Sequence, residues 1–226
     1  MARRIFITGG TGYIGMRLIP RLVARGLEVC AVVRPGSEKK IPAGCRLVQG
    51  DALASNTYLE HIAPGDTFVH LVGVAHPSPS KTVEFETIDY TSAVQAIAAA
   101  QERKVAHFVY LSVAHPAPVM QAYWSTRARC EELLRATGMR ATVLRPWYVL
   151  GPGHWWPLML VPFYAAAERI PSTRETAKRL GLVTIGQMTR ALERAVTEPG
   201  ADWQVWSVED IRRGCTPSPR IKNAIK

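Results

Sequence analysis

Three glycines spaced Gly9-x-x-Gly12-x-x-Gly15 are the residues of this sequence best suited to chemistry, and that chemistry is the capture of a diphosphate. A short apolar run, Ile5 to Ile7, precedes them and reads as a buried strand. An apolar periodic segment, Tyr13 to Val23, follows and reads as a helix. At such a junction the first glycine permits a tight turn off the strand. The second lets backbone N–H groups approach a pyrophosphate with no Cβ in the way, and the third lets the helix pack close to the strand. The helix N-terminus adds unpaired N–H donors and a partial positive charge. A glycine turn in some other α/β protein is the bland alternative.

With Thr8 in front, this stretch resembles the opening of the extended and atypical short-chain dehydrogenase/reductases, a group with epimerase/dehydratase-like and NmrA-like members. The resemblance implies a Rossmann-type domain holding NAD or NADP, with Gly9, Thr11, Gly12, Tyr13, Ile14 and Gly15 around the diphosphate. A second strand, Gly26 to Arg34, ends where an NAD enzyme keeps an acid for the ribose 2′-hydroxyl. Here Val33 and Arg34 stand instead, and a guanidinium can pair with a 2′-phosphate. NADP is therefore favoured, with NAD the alternative; a solvated arginine opening the loop Pro35-Gly36-Ser37 is the competing reading. A third strand, Arg46 to Asp51, brings Asp51 and Ala52 to the adenine by the resemblance, and Asp51 equally suits the N-cap of a short helix. A fourth strand, Asp66 to Gly73, passes the cofactor at Leu71, Val72 and Gly73. His70 within it reads as a core residue and His76 as a loop residue over the site.

A long helix is expected over Thr82 to Arg103, followed by a fifth strand, Val105 to Ser112. The alternation of strands and helices without an internal repeat indicates an α/β fold, a doubly wound parallel sheet with ligands at the carboxyl ends of the strands. In the family this chain resembles, a Tyr-x-x-x-Lys pair on the next helix does the chemistry. Residues four apart share a helix face, and the cation lowers the phenol's pKa and holds the ribose while the phenol exchanges a proton with substrate. Here the pair is Tyr123 and Arg127, and arginine aims its charge differently from lysine. An amphipathic helix carrying a Tyr and an Arg is the plainer reading. Two further departures accompany it: Asp89 stands where many relatives carry asparagine, and Ala114 lacks the hydroxyl that orients a carbonyl. Ser112 matches the first serine of the family's strand-end phrase and joins Tyr123 and Arg127 in the catalytic set that the resemblance implies, with His115 close by.

A sixth strand, Ala141 to Pro146, leads into Trp147-Tyr148 and Gly151-Pro152-Gly153, resembling the segment whose backbone after Pro146 lies against the nicotinamide. Trp147 and Tyr148 suit an apolar wall there or the core. The aromatic stretch His154 to Tyr164 suits a substrate lid, a subunit contact such as that of a homodimer, or a membrane-surface foot. Beyond it, Val183 to Val196 has helical spacing with Thr184 as its cap, and Trp203 to Val208 reads as a closing strand. The expected division is a dinucleotide-binding core over 1–150, a small substrate-side segment over 151–213 and a loose basic tail over 214–226.

The chain of 226 residues, 47% of them apolar, can bury one full core. No stretch approaches the roughly 20 consecutive apolar residues of a membrane span. Four scattered cysteines and an N-terminus that runs straight into a strand point to a cytoplasmic protein with reduced thiols and without a zinc site. A net charge of +10 suggests a nucleic-acid surface, but the basic residues are dispersed, so a phosphate-rich cofactor and a basic surface suffice. Two functions are therefore in view. One is hydride transfer to a small, partly apolar carbonyl or alcohol, with Tyr123 as acid/base beside Arg127. The other is a non-catalytic NAD(P) binder resembling NmrA-like redox sensors or an accessory subunit of respiratory complex I. A sugar-nucleotide epimerase fits less well, because the C-terminal half is small and apolar.

Overall fold

The computed structural model describes residues 4–153 and 179–214. The aromatic stretch from His154 and the tail beyond Gly214 lie outside them. Seven strands form one parallel sheet: β1 (Arg4–Thr8), β2 (Glu28–Val33), β3 (Cys45–Gln49), β4 (Thr67–His70), β5 (His107–Leu111), β6 (Ala141–Leu144) and β9 (Trp203–Trp206). Their order is β3-β2-β1-β4-β5-β6-β9, so the direction of winding reverses between β1 and β4. In open α/β sheets that reversal leaves a crevice at the carboxyl ends of the strands.

Alternation along β1 explains the two layers. Ile5 and Ile7 point to one face and Phe6 to the other, and all three are fully buried. On the first face lie α1 (Gly15–Ala24), α5 (Ile185–Thr197) and α6 (Val208–Arg213), whose Leu18, Leu22, Leu192 and Ile211 join the core. On the second, the rings of Phe6, Phe68 and Phe108 follow one another at 5.4 and 5.2 Å under α3 (Thr91–Glu102) and α4 (Gln121–Ala136). Glu193 of α5, almost fully buried, receives Arg21 of α1 and Arg25 at its C-terminal cap at 2.6 and 2.7 Å, which fixes those two helices together.

Two short strands, β7 (Tyr148–Leu150) and β8 (Leu182–Thr184), pair beside the main sheet. The Thr184–Gln187 capping box then starts α5 where the spacing placed it. The helix expected over Thr82 to Arg103 is continuous but not uniform. A three-residue α2 (Thr82–Glu84) passes into a π-helical turn, Phe85–Tyr90, before α3. Asp51 does not cap a helix as expected. The next helical turn, Ser55–Thr57, has no side-chain cap, and Asp51 Oδ1 accepts instead from the Leu53 N–H at 3.0 Å within its own turn.

Candidate functional site

The glycine turn off β1 is sterically obligatory. Gly9 has φ +80°, and a Cβ there would lie 2.7 Å from the Leu71 carbonyl carbon and 2.8 Å from the Val72 nitrogen. A Cβ on Gly15 would lie 2.5 Å from the Gly9 oxygen, so only glycine lets α1 begin against the turn. The backbone thus leaves a cleft of about 390 Å³ at the carboxyl ends of β1 to β4, where the winding reverses. Nine of the residues expected to touch the cofactor line it: Gly9, Thr11, Gly12, Arg34, Asp51, Ala52, Leu71, Val72 and Gly73. Arg34 is exposed at its lip. The backbone cradle, the bare Gly12 and Gly73, and a guanidinium at the end of β2 fit a dinucleotide with its diphosphate at α1.

The remaining expected residues lie elsewhere. Gly15 and Ile14 sit behind the turn, at the start of α1 and against the core. The Pro146 carbonyl accepts from the Ala114 N–H at 2.8 Å. Tyr13 and Tyr123 line a second cavity of about 450 Å³, walled by Val113, Met120, Trp147 and Tyr148. The loop after β4 borders both spaces: Gly73 to Ala75 line the cleft, and His76 to Pro79 line the cavity. Trp147 and Tyr148 meet edge to face at 5.6 Å and form an apolar wall.

Tyr123 is partly buried, its ring 5.0 Å from that of Phe85. Burial raises its phenol above the ordinary tyrosine value, and the Arg127 charge opposes this without overcoming it. The lowered phenol expected from an adjacent cation is therefore corrected. Burial is the larger cause, and Arg127 is engaged by other groups as well. Its guanidinium carbon is 5.7 Å from the Tyr123 ring centroid, and its Nη1 donates to the Leu111 carbonyl at 3.0 Å. Its Nη2 pairs with Asp89, which is fully buried on the π-turn. The guanidinium is thus shared between a buried carboxylate, a carbonyl and the phenol, and its pull on the phenol is outweighed by burial.

Ser112 is brought to neither space. Its Oγ donates to Glu131 Oε1 at 2.5 Å, where His115 Nε2 also lies at 3.2 Å and Arg145 pairs through Nε and Nη2. Burial pushes the Glu131 carboxyl up, but the hydrogen bonds of His115 and Arg145 hold it below the usual range. His115 stacks on Trp124 at 6.2 Å. His70 is a core residue: it is fully buried, with Thr8 Oγ1 at 2.7 Å, and burial holds it down to about 3. Sequence reasoning missed Lys81, whose Nζ donates to the Ala75 carbonyl at 2.7 Å inside the cleft. A basic residue just after the loop Pro77 to Ser80 was the available signal. No helix of the described residues is long and apolar enough to cross a membrane.

Comparison with known proteins agrees with this architecture. A family described as NAD(P)H-binding matches residues 9–151. The chain is 27% identical over 170 residues to 4-hydroxy-2-methyl-3-oxo-4-farnesyl-3,4-dihydroquinoline-1-oxide ketoreductase of Stigmatella aurantiaca, covering 66% of this chain and 51% of that one. It is 26% identical over 178 residues to a ceramide reductase of Caulobacter vibrioides, covering 77% and 55%. The chain thus spans about half the length of these curated relatives. Among solved structures, the Bordetella bronchiseptica enzyme WbmH in complex with NAD+ superposes with a TM-score of 0.69 at 21% identity, over 92% of this chain and 76% of that one. Glycine cradle, sheet order and family match together make the chain a member of the NAD(P)H-binding family, built on a Rossmann-type sheet.

Proposed function

We propose that this protein is an NADP(H)-dependent reductase of a small, partly apolar carbonyl compound. The observation that carries this reading is the position of Tyr123 in an aromatic cavity that shares the Gly73–Pro79 loop with the dinucleotide cleft as a common border. The nicotinamide, when bound, supplies a hydride for the carbonyl carbon. The Tyr123 hydroxyl stays protonated at neutral pH, so it can donate its proton to the carbonyl oxygen and complete an alcohol. That protonation state suits reduction better than oxidation, which needs a base. The cavity wall holds no Lys, Arg, Asp or Glu among the described residues, which suits a neutral substrate and not a sugar diphosphate. The ketoreductase and ceramide reductase names of the two relatives support the same class. Arg34 at the end of β2, with no acid beside it in the strand, supports NADP.

The non-catalytic reading rests on different observations. Arg127 is engaged by Asp89, Ser112 by Glu131, and Ala114 offers no hydroxyl. One measurement tests the cofactor and a second separates the readings. Nicotinamide fluorescence titration should show NADPH bound more tightly than NADH, and Arg34→Glu should reverse the order; tighter NADH binding by the unaltered protein would count against the assignment. A panel of carbonyls reduced by the protein and by Tyr123→Phe should show a loss of roughly 10²-fold or more. Equal trace activity in both would establish the binder.

A further inference from the structure

We propose that Asp89 is a positioning residue of this site: it takes up the Arg127 guanidinium so that a neutral pair, not a bare cation, stands beside Tyr123, and it ties the Gly73–Val74 edge of the cleft to α4. The proposal rests on the reading of Tyr123 as proton donor. Four elements meet at the pair. Asp89 Oδ1 accepts from the Val74 N–H at 3.2 Å and from Arg127 Nη2, while Arg127 Nη1 reaches the Leu111 carbonyl at 3.0 Å and the Tyr110 hydroxyl at 3.4 Å. The loop after β4, the π-turn, the end of β5 and helix α4 are thereby joined through two side chains. The pair is nearly sealed from solvent, with side-chain exposures of 5% and 0%. At such burial its charge is little screened, so which groups it neutralises matters to every neighbour.

Two further observations place it at the site. A Cβ on Gly73 would run into both Arg127 Nη2 and Asp89 Oδ1, so the pair lies directly behind the glycine that lines the cleft. Asp89 Oδ2 and Arg127 Nε are buried without a hydrogen-bond partner among the described residues, leaving one acceptor and one donor uncommitted. The π-turn that carries Asp89 is the kind of helical irregularity that recurs at functional positions. The titratable groups around the pair are Tyr123 and Cys130 on α4, Tyr110 on β5, His70 on β4 and Glu84 on α2. Across the cavity stand Tyr13, His76 and Tyr148. Within this set Asp89 is the carboxylate that contacts Arg127.

The test compares the unaltered protein with Asp89→Asn, Arg127→Met and the double variant, each with and without Tyr123→Phe. The difference in tyrosinate absorbance then reports Tyr123 alone, and circular dichroism at each pH restricts the comparison to folded protein. Asp89→Asn should bare the cation and move the Tyr123 titration down by about one pH unit. The double variant should return it to within about half a unit of the unaltered protein, since neither has a net charge at the pair. Arg127→Met, which bares the carboxylate, should titrate higher than the double variant, a comparison that stands if Asp89→Asn does not fold. A packing role alone would move none of these positions. Coincident titrations for Asp89→Asn and the unaltered protein, or for Arg127→Met and the double variant, overturn the proposal. NADPH titration of the unaltered protein reads the functional assignment separately: no binding there sinks that assignment whatever the phenol does.

Discussion

Replacing Gly9 with alanine separates backbone strain from collision at the base of the dinucleotide cleft. The added Cβ has two costs. At φ +80° an L-residue is strained by about 1–2 kcal/mol. It must also displace the Leu71–Val72 backbone, which stands 2.7–2.8 Å away and cannot rotate aside as a side chain could. Overpacking of that kind costs about 1–3 kcal/mol, so Gly9→Ala should lose about 2–5 kcal/mol in all. For a chain of this length that is a fall in melting temperature of roughly 5–15 °C. Gly65 supplies the control: its φ is +84°, but nothing lies within 4 Å of its missing Cβ, so Gly65→Ala carries the strain alone. Because Leu71 and Val72 also line the cleft, Gly9→Ala should weaken NADPH binding at least about tenfold, while Gly65→Ala binds normally. Thermal melts and fluorescence titrations of the two variants side by side decide the matter. If Gly9→Ala melts with Gly65→Ala and binds NADPH unchanged, the cradle does not depend on the bare glycine and the reasoning fails.

Three other outcomes follow from the packing. His70 is held near 3 by burial and, secondarily, by the Arg127 charge, so between about 6.5 and 3 the unfolded chain binds a proton that the folded chain refuses. Stability should therefore fall by about 1.4 kcal/mol per pH unit as pH drops through that window, and urea unfolding of His70→Gln should show a shallower fall. Glu131→Leu should cost about 2–4 kcal/mol, because it strands the Ser112 hydroxyl and the part-buried Arg145; a loss below 1 kcal/mol by denaturant titration would argue against the cluster. Thr184→Ala should lower stability by about 1 kcal/mol through loss of the capping box, with Thr184→Ser restoring most of it in the same assay.

The dinucleotide half was legible because its determinants are local. A glycine turn between an apolar strand and an apolar helix is written within a dozen residues, and β1 to β6 were each expected as strands, whereas the short pair β7 and β8 was not. The half around Tyr123 depends on partners far apart in the chain. The i, i+4 spacing placed Tyr123 and Arg127 on one face of α4, but the destination of the guanidinium was set by Asp89 on a π-turn that periodicity does not reveal. Ser112 was singled out by its place at the end of β5, yet its hydroxyl belongs to Glu131, a helix residue with no sequence signal of burial. Tyr13, assigned to the diphosphate from its neighbours, faces the second cavity. These are the contacts that only the assembled layers create.

The last strand of the sheet has a consequence for synthesis. β9 pairs along β6, yet it is made only after the chain has left the sheet for β7, β8 and α5. Until Trp203–Trp206 leaves the ribosome, Ala141–Leu144 presents an open row of amides and carbonyls. A nascent chain paused before that point, or one cut short there, carries a sticky flank in an otherwise assembled domain, so C-terminal truncations should aggregate before they lose nucleotide.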